Sequence, residues 1–222
     1  MRVVQALMAQ WLIVSVFLGL AVTAQAQDQA QEGTDTVKSP EQVVSDAANK
    51  LLDTLVGKES YYSDNLEELY EVIDAQLRPV FDMRYSTYLV LGNHWKQASD
   101  EQRNRFVDAF SRFLIQSYAK GLLGFNQKDL EIRPEVYSKD GKKAEVRTML
   151  TLDNGTTVPI NYRLRRSKAG WRVYDVRIEG VSYVQNYRSQ FNAEINALGI
   201  DAVIERLNSG QEESIERPSA EG

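Results

Sequence analysis

The chain contains no cysteine among its 222 residues, and only one histidine, His94. Lack of cysteine excludes a disulfide framework, a thiol nucleophile and acylation at a lipoprotein cysteine. With a single histidine as well, zinc sites of the cysteine and histidine type are excluded. A serine–histidine–aspartate triad would have to run through His94, yet no serine sits in a nucleophile elbow. Gly180-Val181-Ser182-Tyr183-Val184 lacks the second glycine that such a turn requires. His94 stands beside Trp95 and reads as a helix-end or surface residue. Asp153-Asn154-Gly155 is not followed by the spaced acidic ligands of a calcium loop, and a hairpin turn accounts for it. Basic charge is not in excess either. Lysine and arginine total 26 against 31 acidic residues, a net charge of −5, which argues against a nucleic-acid binder. Beyond the first residues, no segment is long and apolar enough to cross a bilayer.

The amino terminus has the parts of an export signal. Arg2 supplies a short positive region, an apolar core runs from Trp11 to Val22, and Ala24-Gln25-Ala26 fits the small-x-small cleavage rule. A membrane anchor is the alternative, since the apolar stretch from Ala6 to Val22 is near the lower length limit for a span. The cleavage motif and the polar residues after it favour removal of residues 1–26, with Gln27 starting the mature chain. The remainder, roughly 200 residues, suffices for one substantial domain. An exported, cysteine-free domain of this size fits a bacterial periplasm. Residues 27–38 are polar and aperiodic and read as a flexible lead-in, 39–207 as a single domain, and 208–222 as a disordered, charged tail.

Within the domain, apolar periodicity places the elements. Ser39-Pro40-Glu41-Gln42 is a helix start with a capping box, followed by Val43, Val44, Ala47, Leu51 and Leu55 on one face. A second helix is expected from Asp64, with Leu66, Leu69, Ile73, Leu77 and Val80 as its stripe and Pro79 ending or kinking it. A short helix over Met83 to Leu91 stops at Gly92. Ser99-Asp100-Glu101-Gln102 repeats the capping box ahead of Phe106, Phe110, Phe113, Leu114 and Tyr118. After Gly124 the period changes to two. Strands are expected around Ile132–Val136, Val146–Leu152, Val158–Arg165 and Trp171–Ile178, and two closing helices over Ser182–Ala197 and Asp201–Leu207. Helices, then a meander, then helices predict an α+β fold: a four-stranded antiparallel sheet packed against several helices. By analogy this suggests the NTF2-like, cone-shaped architecture.

The inward-facing set of that sheet, Val146, Leu150, Leu152, Val158, Ile160, Leu164, Val176 and Ile178, is free of charge. Periodicity alone makes it an ordinary core. Arg163, Arg165, Arg166, Lys168, Arg172 and Arg177 cluster on the other side, as a solvated outer face or a docking surface for anionic headgroups or an acidic partner. On strict alternation Asp175 shares a side with Trp171, Val173 and Arg177, opposite Tyr174, Val176 and Ile178. One enzymatic alternative survives: an isomerase or hydrolase of the NTF2-like kind, in which Asp175 abstracts a proton and Tyr162 or Tyr174 stabilises the oxyanion, as in ketosteroid isomerase. The alternation weakens it.

One run carries more information than any other: Gly170-Trp171-Arg172-Val173-Tyr174-Asp175-Val176-Arg177-Ile178-Glu179-Gly180-Val181-Ser182. It is followed by Asn186-Tyr187-Arg188-Ser189-Gln190-Phe191 and Gly199-Ile200-Asp201. With Leu89-Val90-Leu91-Gly92 and Trp95, and with Ser99-Asp100-Glu101-Gln102-Arg103 leading to Phe106 and Phe110, it resembles the MlaC family over most of residues 40–207. These are periplasmic phospholipid carriers of the lipid-asymmetry system of Gram-negative envelopes. The resemblance implies an apolar pocket between sheet and helices that takes acyl chains and leaves the headgroup near solvent. Its expected lipid-binding residues here are Val146, Leu150, Leu152, Val158, Ile160, Tyr162, Val176, Ile178, Val181, Phe106 and Phe110. It further implies no catalytic residues, no metal, no cofactor beyond phospholipid as cargo, and no nucleic acid. The implied partners are an outer-membrane lipoprotein–porin complex and an inner-membrane ABC transporter with a periplasmic MCE ring. An exported interaction module whose apolar interior is only core is the remaining alternative.

Overall fold

The structure is a computed structural model that describes residues 38–123, 130–151 and 155–210. The expected leader, nearly all of the lead-in, the tail from 211, Leu152 and most of the Asp153-Asn154-Gly155 turn lie outside these residues.

Two helices begin where their capping boxes place them. In α1 (Pro40–Leu55) the Gln42 amide donates to Ser39 Oγ at 3.2 Å, and the Ser39 amide donates to Gln42 Oε1 at 2.9 Å. In α6 (Asp100–Leu122) Ser99 and Gln102 repeat the exchange at 3.1 and 3.0 Å. Each box satisfies two backbone donors that the first turn cannot satisfy itself. Between them lie α2 (Glu59–Asp64), α3 (Leu66–Leu77), α4 (Met83–Leu91) and α5 (Asn93–Gln97). The helix expected from Asp64 is therefore preceded by a separate short turn of helix, with Asn65 at the junction. Gly92 separates α4 from α5 at φ +53°, and a Cβ there would stand 3.0 Å from the Arg188 guanidinium. The positive φ favours glycine, and a Cβ would also press the Arg188 side chain aside.

The sheet has six strands rather than the four expected: β1 (Leu130–Ile132), β2 (Val136–Tyr137), β3 (Lys143–Thr151), β4 (Thr157–Ser167), β5 (Gly170–Ile178) and β6 (Val181–Ser182). All named pairs are antiparallel, in the order β1-β3-β4-β5-β6, with β2 also on β3. The expected first strand is split in two around Pro134, which has no amide to donate to the ladder. Strand β6 is only two residues long and carries no readable alternation. The closing helices are α7 (Tyr183–Leu198) and α8 (Ile200–Asn208). The Ser182 hydroxyl caps α7 by accepting from the Gln185 amide at 3.2 Å.

A β-bulge changes the faces of β5. Arg163 pairs with Asp175 and Leu164 with Val173, so Tyr174 is the extra residue. Trp171 and Val173 consequently share a face with Val176 and pack in one cluster with it, contrary to strict alternation.

The buried residues form three clusters. Phe106, Phe110, Phe113, Tyr187, Phe191 and Ile204 centre the one among α4, α6, α7 and α8. Leu51, Leu55, Tyr62, Leu69, Ile73 and Ala119 join α1, α2, α3 and α6. The third joins Val44 of α1 to one end of the sheet, through Ala144, Val146, Leu164, Trp171 and Val173. The result is α+β, an antiparallel sheet packed against helices.

Candidate functional site

Strand pairing aligns the helix-facing side chains in rows across the sheet, because directly paired residues of antiparallel strands share a face. Ala144, Leu164 and Val173 make the first row, Val146, Tyr162 and Val176 the second, Thr148, Ile160 and Ile178 the third, and Leu150 with Val158 the fourth. Val181 of β6 pairs with Ile178 and extends the third row.

Burial falls along these rows. The first is closed under α1, with Leu164 at 0 % and Val173 at 1 % exposure. In the second row Val146 is fully buried, whereas Tyr162 and Val176 are half-buried against the same cluster. Further on, Ile160, Ile178, Val181, Leu150 and Val158 are all half-buried. None of these five belongs to any of the three buried clusters among the described residues, or packs against one as a partly buried neighbour. Together these side chains make a half-buried apolar wall along one face of the sheet.

Tyr162 stands at its inner limit. Its side chain keeps accessible surface, yet burial pushes its hydroxyl up to about 12, an effect that a hydrogen bond with the Thr148 side chain partly opposes. Thr148 is 1 % exposed, and its hydroxyl also donates to the Ile160 carbonyl at 2.9 Å.

Of the eleven residues expected to line a pocket, seven lie on this wall or at its inner limit: Leu150, Val158, Ile160, Tyr162, Val176, Ile178 and Val181. Val146 shares their face but is fully buried in the closed end. Leu152 lies outside the described residues. Phe106 and Phe110 sit elsewhere, at 0 and 2 % exposure in the helical cluster, with their rings against Phe191 and Phe110 also against Tyr187. Their apolar stripe was visible in the sequence, but a stripe does not say which neighbour covers it. Conversely Leu130, half-buried and paired with Leu150, joins the wall, and extending the period of two back from Ile132 would have found it.

The Asp175–Tyr162 pair of the enzymatic alternative does not assemble. Asp175, 3 % exposed, accepts from Ser182 Oγ at 2.8 Å and from the Val184 amide at 3.1 Å, and lies 3.5 Å from Arg163. It ties β5 to the start of α7. Its pairing with Arg163 places it on the face opposite Tyr162, so the two cannot converge on one substrate. Tyr174 is buried, which pushes its hydroxyl up, and its ring meets Tyr85 edge-on at 5.4 Å. His94 shares a hydrogen bond with Asn192 at 3.0 Å. Among the described residues no group of three or more histidine, aspartate or glutamate side chains is placed to hold a metal, and no helix is long and apolar enough to cross a membrane.

Much of the basic cluster is tied down. Arg163 lies over the Tyr174 ring at 5.2 Å, and Arg165 lies over Tyr85 at 4.2 Å and 3.4 Å from Asp82. Arg172 donates to the carbonyls of Arg78, at 2.6 Å, and Phe81. Arg165 and Arg172 fasten the outer sheet face to the segment leading into α4 and to α4 itself.

Fold and site together define an α+β domain that carries a half-buried apolar wall on its sheet. The family model described as MlaC protein matches residues 45–209, and the chain belongs to the MlaC family. It is 29 % identical over 169 residues to the toluene tolerance protein ttg2D of Pseudomonas putida, covering 76 % of this chain and 78 % of that one. It is 26 % identical over 180 residues to the intermembrane phospholipid transport system binding protein MlaC of Haemophilus influenzae, covering 80 and 84 %. Among solved structures, the phospholipid-binding protein from Ralstonia solanacearum in complex with a phospholipid superposes with a TM-score of 0.72 at 27 % identity. That match covers 81 % of this chain and 100 % of the other.

Proposed function

We propose that this protein is a periplasmic phospholipid carrier that holds acyl chains against the sheet wall and leaves the headgroup near solvent. The observation that carries the proposal is the set of five half-buried apolar residues, Leu150, Val158, Ile160, Ile178 and Val181, that no buried cluster among the described residues claims. The Ralstonia relative, solved with a phospholipid, supports the same reading. The leader expected over residues 1–26 delivers the chain to the periplasm, where it exchanges lipid with an outer-membrane lipoprotein–porin complex and an inner-membrane ABC transporter bearing an MCE ring. Lipid is cargo, and the protein performs no chemistry on it.

The energetics suit this role. Each buried CH₂ gains roughly 0.8 kcal/mol, so two long acyl chains gain well over ~10 kcal/mol before ordering costs. Such cargo leaves slowly unless a partner opens or distorts the pocket, which is why a shuttle requires docking complexes at both ends.

A carboxylate placed in the wall tests the proposal. Val181→Glu and Ile160→Glu each bury an unpaired charge in an apolar cavity, so phospholipid recovered by solvent extraction should fall to background while far-ultraviolet circular dichroism stays native. A folded Val181→Glu protein with the normal lipid content would mean that the wall is not where the lipid lies.

A further inference from the structure

The wall has a built end, and that end carries a prediction about which lipids fit. Along β3, β4 and β5 the rows pass from unclaimed (Leu150 with Val158, then Ile160 with Ile178) to closed (Ala144, Leu164 and Val173 beneath Val44). On β3 both Val146 and Thr148 are buried, but only the row containing Tyr162 both packs on the closed cluster and keeps accessible surface. Val146 on one side is fully buried, and Tyr162 and Val176 touch the closed cluster while keeping accessible surface. The largest side chain of that row is the tyrosine, and it packs against the closed cluster. A large ring at the boundary between the closed cluster and the half-buried rows is a stop.

We infer that Tyr162 is the floor of the acyl-chain slot and sets the longest chain that the protein accepts, a selectivity for chain length rather than headgroup. The inference rests on the carrier reading above. Successive rows on one face are two residues apart, roughly 7 Å along a strand. Removing the ring therefore deepens the slot by up to about one row, and the packed row of Ala144, Leu164 and Val173 forms the new floor. Conversely, a ring added one row nearer the open end, at Ile160, raises the floor.

The test uses the delipidated mature protein incubated with vesicles of equimolar dimyristoyl, dipalmitoyl and distearoyl phosphatidylglycerol, with the bound species weighed by native mass spectrometry. Tyr162→Leu, which stays apolar and removes the ring, should shift the bound population toward the distearoyl lipid. Ile160→Phe should shift it toward the dimyristoyl lipid. Tyr162→Phe keeps the ring and should keep the wild-type distribution, so an altered distribution in that variant would assign the selectivity to the hydroxyl and overturn a steric floor. Lipid-loaded variants that all share the wild-type distribution would overturn the inference while leaving the carrier reading intact. A wild-type protein that takes up no lipid would overturn both.

Discussion

Asp175 shows how much one buried side chain can contribute. Its carboxylate accepts from Ser182 Oγ and the Val184 amide within a site only 3 % exposed. Replacement by alanine leaves these donors unpaired and should lower unfolding free energy by about 2–4 kcal/mol, read from urea denaturation. Asp175→Asn keeps the shape and part of the hydrogen bonding, so it should cost less and leave lipid per folded molecule unchanged. Loss of lipid or of a proton-transfer activity would instead return Asp175 to a functional role. Tyr162 makes a prediction about alkaline pH. Burial raises its folded-state pKa from the ordinary 10 to about 12, so the unfolded chain loses the proton first. The stability that the neutral phenol contributes is complete below pH 10 and is lost as pH rises toward 12, about 2–3 kcal/mol in all. Tyr174, also raised, adds to the same slope. Stability measured from pH 9 to 12 should fall less steeply in Tyr162→Phe, and an unchanged slope would contradict this account of the tyrosine's burial.

Elements were legible in the sequence where local chemistry dictates them. Ser39 with Gln42 and Ser99 with Gln102 fix two helix starts, and both reciprocal boxes are formed. Ser99→Ala should lower unfolding free energy by about 1 kcal/mol, visible as a lower thermal midpoint, with lipid content unchanged. The long strands β3, β4 and β5 were legible too, since nine to eleven residues suffice to display a period of two. Strands β1, β2 and β6, at three residues or fewer, were not separable by that signal. Nor was the bulge at Tyr174, which reverses the side of Trp171 and Val173. No residue type announces a bulge; the pairing of Leu164 with Val173 does, and that is a tertiary fact. The same limit explains Phe106 and Phe110. Helical spacing shows that they are inside, and only the packing of α6 on α7 shows that they face Phe191 and Tyr187 rather than the sheet wall.

At the scale of the whole molecule, the molecule separates holding itself together from holding cargo. Two clusters lie among the helices, and a third closes one end of the sheet under α1. Stability can therefore reside in the packed regions while the half-buried rows of the sheet remain available to a ligand. The central claim is that the half-buried apolar wall receives phospholipid. Native mass spectrometry of the gently purified mature protein, paired with solvent extraction and lipid analysis, tests it most directly. The account predicts a discrete mass increment matching diacyl phospholipid, recovered as such in the extract. A protein of bare polypeptide mass, with no phospholipid in the extract, would contradict it.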